Sequence, residues 1–436
     1  MIDTSNKFDL KKSAKELRQA KKYPEALEIY RSLWILSKDV FDGAGLLHCL
    51  RKMDLYEEAI KLAEELELQC NSIDWCRNEV IWVYTSGILR KLNDEANLSQ
   101  VLPIASKIMA LRPDGLAAKL VVFKVLKTAK KENNWNIINE WVMKLDPTSL
   151  SVEPIKDEKD RDGWCDQSCW YNYRIHGLIE VNQYHQAITL VDEIANKYSR
   201  EKKYFLRLKA VAFHKSKKYD ESEKIYEDLC RHPKADWWLV QEYASVLMDL
   251  GKNELALSSY CKAAQMANKP EMMVKMVADI GFLFQKLSKD QEALLHLITA
   301  KFIRLDNGWK LPQELETAIN DLNHDNVTSQ FPTDSKSALR QCRELWQKET
   351  GKINDQSAKP KRQLNGIVLL GNSEKPFCFI QVANAESVFC YKNNLPPGIQ
   401  DKMRVVFDAI PSYDKKKNRE TYRAMNIKLL SSLPHP

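Results

Sequence analysis

Over its first three-quarters the chain alternates apolar-striped helices with short polar turns, and the turns carry the clearest pattern. The segments KKYPEALEIY (21–30), DLYEEAIKLA (54–63), NQYHQAITLV (182–191) and KKYDESEKIY (217–226) each set an aromatic three residues ahead of a small residue, which is followed four positions on by Tyr, Ala or Val. The small residues recur at a near-constant interval: Ala26 to Ala59 is 33 residues, Ala187 to Ser222 is 35, Ser222 to Ala256 is 34 and Ala256 to Ala293 is 37. The upstream helices repeat as well, with Leu206, Ala210 and Phe213 ahead of Ser222, and Val277, Ile280, Gly281 and Phe284 ahead of Ala293. Small residues on both helices of a unit let the helices approach closely, and large ones fill the groove of the next unit. These positions are therefore expected in a core and not in a chemical site.

A helix pair of about 34 residues with this spacing resembles the tetratricopeptide repeat, over roughly residues 7–305 in some eight units. The resemblance implies an α-solenoid whose groove holds a protein partner. Residues 80–147 are the least regular part, although Pro113 and Pro147 are again 34 apart. The polar insertion between Pro147 and Trp170 breaks the phase and is expected to loop out, as a binding element or as a tolerated insertion. A solenoid needs a cap, and GWKLPQELETAINDL supplies one, with Leu315, Ile319 and Leu322 on a single stripe. SKSALRQCRELWQKE predicts one more helix, docked back or acting as a spacer, and TGKINDQSAKPKRQ has the composition of a linker.

Beyond Gly366 the pattern shifts to short β-branched and aromatic runs separated by turn signals. NGIVLL, FCFIQV, SVFCY, MRVVFDAI and YRAMNIKL predict five strands, enough for a small OB-type barrel. The expected fold class is thus mainly α: a tetratricopeptide-type solenoid with capping helix over 1–325, a helix and polar linker over 326–363, and an all-β five-stranded barrel over 364–436.

The barrel sequence is similar to the cold-shock domain family. GIVLLGNSEKPFCFIQV follows the family's G-K-V-K-W-F-N-x-E-K-G-F-G-F-I pattern without a gap, matching at Gly366, Val368, Asn372, Glu374, Lys375, Phe377, Phe379 and Ile380. Val388, Phe389, Cys390 and Tyr391 align with its V-F-V-H run, and Ala424, Asn426 and Ile427 with its A-x-N-V ending. The resemblance implies a solvent-facing platform on which bases of single-stranded RNA, or less readily DNA, stack. Its candidate contacts are Asn372, Lys375, Phe377, Phe379, Phe389 and Tyr391, with Lys415, Lys416, Lys417 and Arg419 before the last strand. Two departures count against it: Leu370 and Gly371 stand where the family has a stacking Trp and Phe, and Pro376 and Cys378 replace glycines. Phe at alternate strand positions also fits one buried face of a barrel, so the platform and a barrel kept for protein contact both stay open.

Charge sharpens the division. From Thr350 to Pro436 there are fourteen Lys and Arg against seven Asp and Glu, which accounts for the whole net charge of +7 and leaves the preceding residues neutral overall. A basic module on a neutral body favours an anionic partner for the module. The polar N-terminus, the lack of any apolar run near the roughly 20 residues that span a bilayer, and ten irregularly placed cysteines are the pattern of a cytoplasmic protein with reduced thiols. Cys165, Cys169 and His176 offer metal-ligand atom types, but a fourth ligand and the C-x2-C spacing are missing, so no metal is expected. With no nucleophile elbow, metallo-hydrolase motif or phosphate-cradling loop, the sequence reads as a non-enzymatic adaptor without cofactor, small-molecule substrate or membrane contact. The alternative is a pure protein scaffold with a degenerate docking barrel. The combination also resembles helical-repeat proteins with cold-shock-like domains in prokaryotic conflict systems acting against phages.

Overall fold

The computed structural model describes residues 4–232, 235–323, 331–354, 361–371, 375–382, 387–414 and 419–430. The chain divides into two compact units, Met1–Lys218 and Tyr219–Pro436. Unit 1 contains the helix pairs α1 (Thr4–Gln19) and α2 (Tyr23–Ser37), α3 (Val40–Lys52) and α4 (Tyr56–Leu66), α5 (Asp74–Gly87) and α6 (Leu98–Ala110), α7 (Gly115–Lys131) and α8 (Trp135–Val142), and α9 (Asp166–Glu180) and α10 (Tyr184–Ile194), followed by α11 (Lys202–Lys215). Unit 2 opens with α12 (Tyr219–Cys230) and continues with α13 (Trp237–Asp249) and α14 (Asn253–Met266), then α15 (Pro270–Lys286) and α16 (Asp290–Asp306). Two further helices, α17 (Gln313–Leu322) and α18 (Ser335–Asn354), precede the barrel strands. Unit 1 thus holds five helix pairs of tetratricopeptide type and unit 2 two more, α13–α14 and α15–α16, with pairs present across the stretch where the sequence pattern is weakest.

One turn geometry recurs through the pairs. In six of them a residue with positive φ stands two positions before the second helix, Lys21, Asp54, Asn133, Asn182, Gly251 and Ser288, and Lys217 makes the same turn after α11. The next N–H reaches back five residues to a carbonyl of the first helix, as in Leu55 N to Leu50 O (2.9 Å), Gln183 N to Leu178 O (2.8 Å) and Lys289 N to Phe284 O (3.0 Å). This is the Schellman closure, which satisfies otherwise orphaned carbonyls and reverses the chain within three residues. The small residues expected to sit between helices, Ala26, Ala59, Ala187, Ser222, Ala256 and Ala293, are all buried.

The insertion after α8 forms a hairpin, β1 (Pro154–Lys156) with β2 (Asp162–Cys165), antiparallel and exposed for most of its length. Its C-terminal root is anchored within unit 1: Asp166 pairs with Lys119 on α7 at 2.6 Å, Gln167 Nε2 donates to Pro147 O at 2.6 Å, and Trp170 Nε1 donates to Val142 O at 2.8 Å.

In unit 2 the helix after the cap docks back against the array. Leu339, Cys342 and Trp346 of α18 are buried in the same core as α14–α16. Trp346 Nε1 donates to His296 Nε2 at 2.9 Å, and His296 Nδ1–H donates to Glu292 O at 2.6 Å. Both ring nitrogens are thus used by the neutral tautomer, and burial pushes the imidazole pKa down to about 4.

The barrel consists of β3 (Lys361–Leu369), β4 (Phe377–Val382), β5 (Val388–Tyr391), β6 (Arg404–Asp414) and β7 (Arg419–Leu429). It is closed in the order β3-β4-β5-β7-β6, with β6 returning to β3 and only the β5–β7 pair parallel. Val368, Cys378, Ile380, Cys390, Val405, Phe407 and Ala424 fill its interior. At Gly366 a methyl group would meet Ile380 Cγ2 at 2.5 Å, Gln381 O at 2.9 Å and Phe407 Cε1 at 3.0 Å, so only hydrogen fits where β3 passes from β4 to β6. Each ladder of β6 has one register shift, with the extra residue on β3 in one and on β7 in the other, and one carboxylate of β6 serves both irregularities: Asp408 Oδ1 accepts from Gln363 N (3.0 Å) and its Oδ2 from Asn426 Nδ2 (3.0 Å). These two bonds hold the Asp408 carboxyl below the usual carboxylate range.

Two measurements test these contacts. Because His296 resists protonation in the folded chain while the unfolded chain accepts a proton near pH 6.5, stability falls as pH drops from there to about 4, by roughly 3 kcal/mol in total for this one group. Urea midpoints at pH 7 and pH 4.5 will therefore separate more for the native chain than for His296→Gln, and equal separations would refute the assignment. Gly366→Ala is expected to destabilise the barrel by about 1–3 kcal/mol through overpacking, read as an earlier loss of its β signal on heating.

Candidate nucleic-acid interface

Strand parity decides which barrel residues meet solvent. On β4 the even positions Cys378 and Ile380 point inward, so Phe377 and Phe379 point out; on β5 Val388 and Cys390 point inward, so Phe389 and Tyr391 point out. The reading of these rings as one buried barrel face is thereby excluded. Phe379 is 41% exposed and Tyr391 42%, with Phe377 and Phe389 half-buried between them.

The two strands pair Phe377 with Tyr391 and Phe379 with Phe389. The bond from Lys392 N to Pro376 O (3.0 Å) makes both of these non-hydrogen-bonded pairs, the kind whose side chains stand closest. The four rings consequently touch as one cluster. Phe377 and Phe389 lie 5.5 Å apart at 33°, Phe377 and Phe379 6.0 Å apart at 84°, and Phe389 and Tyr391 4.9 Å apart at 88°. Lys375 brings its ammonium within 5.9 Å of the Phe377 ring, adding a cation at the edge of the cluster.

The departures from the cold-shock pattern have structural occupations. Leu370 packs against the barrel core, and its N–H donates to Asp401 Oδ1 at 2.8 Å, so this position adds nothing to the outer face. Gly371 takes φ +60°, a turn conformation suited to glycine. Cys378, where the family has a glycine, is a core residue directly opposite Cys390, and burial raises both thiol pKa values, that of Cys390 to about 12. Pro376 precedes β4 and accepts from Lys392 N, but without an N–H it cannot return the second bond of that pair, so the ladder ends here on a single bond.

Of the remaining candidates, Asn372, Lys415, Lys416 and Lys417 lie outside the described residues, and Arg419 opens β7 opposite Asp414. Two outward residues escaped the sequence reading. Ile367 on β3 is 38% exposed beside Gln381, and Arg423 on β7 is the register neighbour of Phe389. Each immediately precedes a buried residue, Val368 or Ala424, so alternation alone was the available signal.

Elsewhere, titratable groups that drew notice in the sequence have structural partners. Cys165 caps α9, its sulfur accepting from Ser168 N at 3.2 Å. Burial raises the Cys169 thiol to about 11. His176 stacks on Trp135 at 6.2 Å and 17°, and burial, with the charges of Lys130, Arg207 and Lys215, lowers its pKa to about 3. Among the described residues no group of three or more His, Cys, Asp or Glu could hold a metal ion, and no helix is long and apolar enough to cross a membrane.

Comparison with known proteins bears on the helical part. Residues 203–344 match a domain family of unknown function (DUF7017), a span that begins in α11 and ends halfway along the docked helix α18. No curated protein matches the chain in sequence. Solved structures similar to it include the apo form of the quorum sensor NprR from B. thuringiensis, at 13% identity over 68% of this chain and 84% of that one, with TM-score 0.41. NprR in complex with its cognate peptide NprX aligns at 14% identity over 73% and 98%, with TM-score 0.36. A tetratricopeptide repeat protein from Parabacteroides merdae aligns at 13% identity over 72% and 98%, with TM-score 0.31. At TM-scores below 0.5 none of these alignments fixes the helical path of this chain, and its fold class follows from its own helix pairs and closed barrel.

Proposed function

We propose that the chain is a non-catalytic adaptor that takes a protein segment on its helical array, residues 1–325, and stacks single-stranded nucleic acid, RNA foremost, on a cold-shock-like barrel over 364–436 joined through 326–363. The observation that carries the reading is the four-ring cluster of Phe377, Phe379, Phe389 and Tyr391 on the outer face of β4 and β5. Soluble proteins seldom leave contiguous aromatics uncovered without a ligand for them. Stacking suits these rings because every base offers a π-face, and each stacked base contributes about 1–3 kcal/mol. The excess of positive charge in the same module supplies the backbone attraction. Strand order β3-β4-β5-β7-β6 with a parallel β5–β7 pair agrees with an OB-type barrel, the architecture that presents such a face.

A second reading has one observation in its favour. With Leu370 turned inward and Gly371 in a turn, the platform is narrower than the family pattern implies, which suits a barrel that docks a protein.

A fluorescence titration with labelled RNA and DNA oligonucleotides of one sequence separates the two. The adaptor reading expects salt-sensitive binding, weakened at least about thirtyfold in a Phe377→Ala, Phe389→Ala double variant that keeps the native unfolding temperature of the barrel. Binding that is absent at low salt, or unchanged in the double variant, sinks the stacking reading.

A further inference from the structure

We propose that Arg423 is a phosphate-binding residue of the barrel face, gripping the backbone of the single strand whose bases lie on Phe389 and Phe379; this rests on the nucleic-acid reading above. The register places it there. Phe379 pairs with Phe389 across β4 and β5, Phe389 pairs with Arg423 across the parallel β5–β7 ladder, and Arg423 pairs with Ile410 on β6. Leu369, opposite Phe379 on β3, begins the same row. Ala424 is fully buried in the barrel, so its neighbour Arg423 belongs to the outer face, one strand spacing of about 4.8 Å from Phe389.

The electrostatics of the residue are incomplete in the free chain. Arg423 Nε is buried and has no hydrogen-bond partner, and among the described residues no carboxylate pairs with its guanidinium. A lone buried N–H on a permanently charged group costs more than a neutral one, and a guanidinium with no carboxylate beside it keeps the outer end of its fork for an anion from outside. Other cations of the barrel are placed differently: Lys361 lies 4.7 Å over the Tyr422 ring, and Lys375 lies beside Phe377. Arginine, unlike lysine, offers a planar fork that matches two phosphate oxygens, and the stem between Phe389 and Ile410 limits its swing. A base seated on Phe389 would carry its phosphate toward β7. Arg423 therefore sets the direction in which the strand crosses the face.

The test is a titration of the full chain with a labelled single-stranded oligonucleotide over a series of salt concentrations. Arg423→Gln is expected to weaken binding and to make the slope of log K against log salt shallower by about 0.7, the value for one phosphate on a single strand. Arg423→Lys is expected to keep the slope while losing part of the affinity. An unchanged slope in Arg423→Gln, or an altered base preference at constant slope, overturns the phosphate assignment. A second arm needs no variant to fold: replacing phosphates one at a time by methylphosphonate should reveal one linkage that weakens binding to the native chain, and uniform small losses along the strand overturn the proposal. Salt-sensitive binding lost with Arg423 but kept in the Phe377→Ala, Phe389→Ala variant would uphold the phosphate contact and sink the stacking reading, whereas no binding by the native chain overturns both.

Discussion

In six helix pairs, and again in the turn after α11, the backbone enters the left-handed region two residues before the next helix, and a bond five residues back closes the turn. That closure determines much else. It brings the helices together at a point that a small buried residue fills in most pairs, as at Ala59 or Ala256, although α8 carries Ile138 there. It also puts a tyrosine, Tyr23, Tyr56, Tyr184 or Tyr219, at the first position of the next helix in four of these turns. Of the seven left-handed residues one is glycine and three, Asp54, Asn133 and Asn182, are of the types that tolerate the region; at Lys21, Lys217 and Ser288 the closure holds a conformation that local preference resists. The period visible in the sequence is the spacing of these closures.

The barrel depends on a different constraint, the two-residue alternation of its strands. Small or branched residues inward at Cys378, Ile380, Val388 and Cys390 leave the intervening aromatics no place except outside. Pairing adds the rest, since the two aromatic pairs fall at the non-hydrogen-bonded positions, where rings meet across the strands. A slip of one residue would reverse both faces at once, and the cysteines would become the surface.

The helical fold and the barrel were legible because each repeats a rule: a 34-residue packing period in one, five short alternating runs in the other. Outward placement of Phe377, Phe379, Phe389 and Tyr391 was legible only through family resemblance, because alternation by itself does not say which parity faces the core. The neighbours that decide it, Cys378 and Cys390, are chemically ambiguous residues at home on either side. Arg423 was hidden for a related reason: its relation to Phe389 arises from a parallel ladder between strands far apart in sequence, and no local motif records it. The docking of α18 was one of two outcomes the sequence left open; its anchors, Leu339, Cys342 and Trp346, meet partners some fifty residues away, such as His296, that no local motif records.

Asp408 carries a consequence for how such a barrel can change over generations. Its two oxygens serve the main-chain irregularity at Gln363 and the side chain of Asn426, which itself adopts φ +52°. Drift at either end is therefore felt at the other. Loss of the aspartate removes a bond at each of two strand bends, so the effect of a change at position 426 depends on what stands at position 408. Covariation of these two positions among relatives, with the aromatic face left to evolve on its own schedule, is the signature such a shared carboxylate imprints.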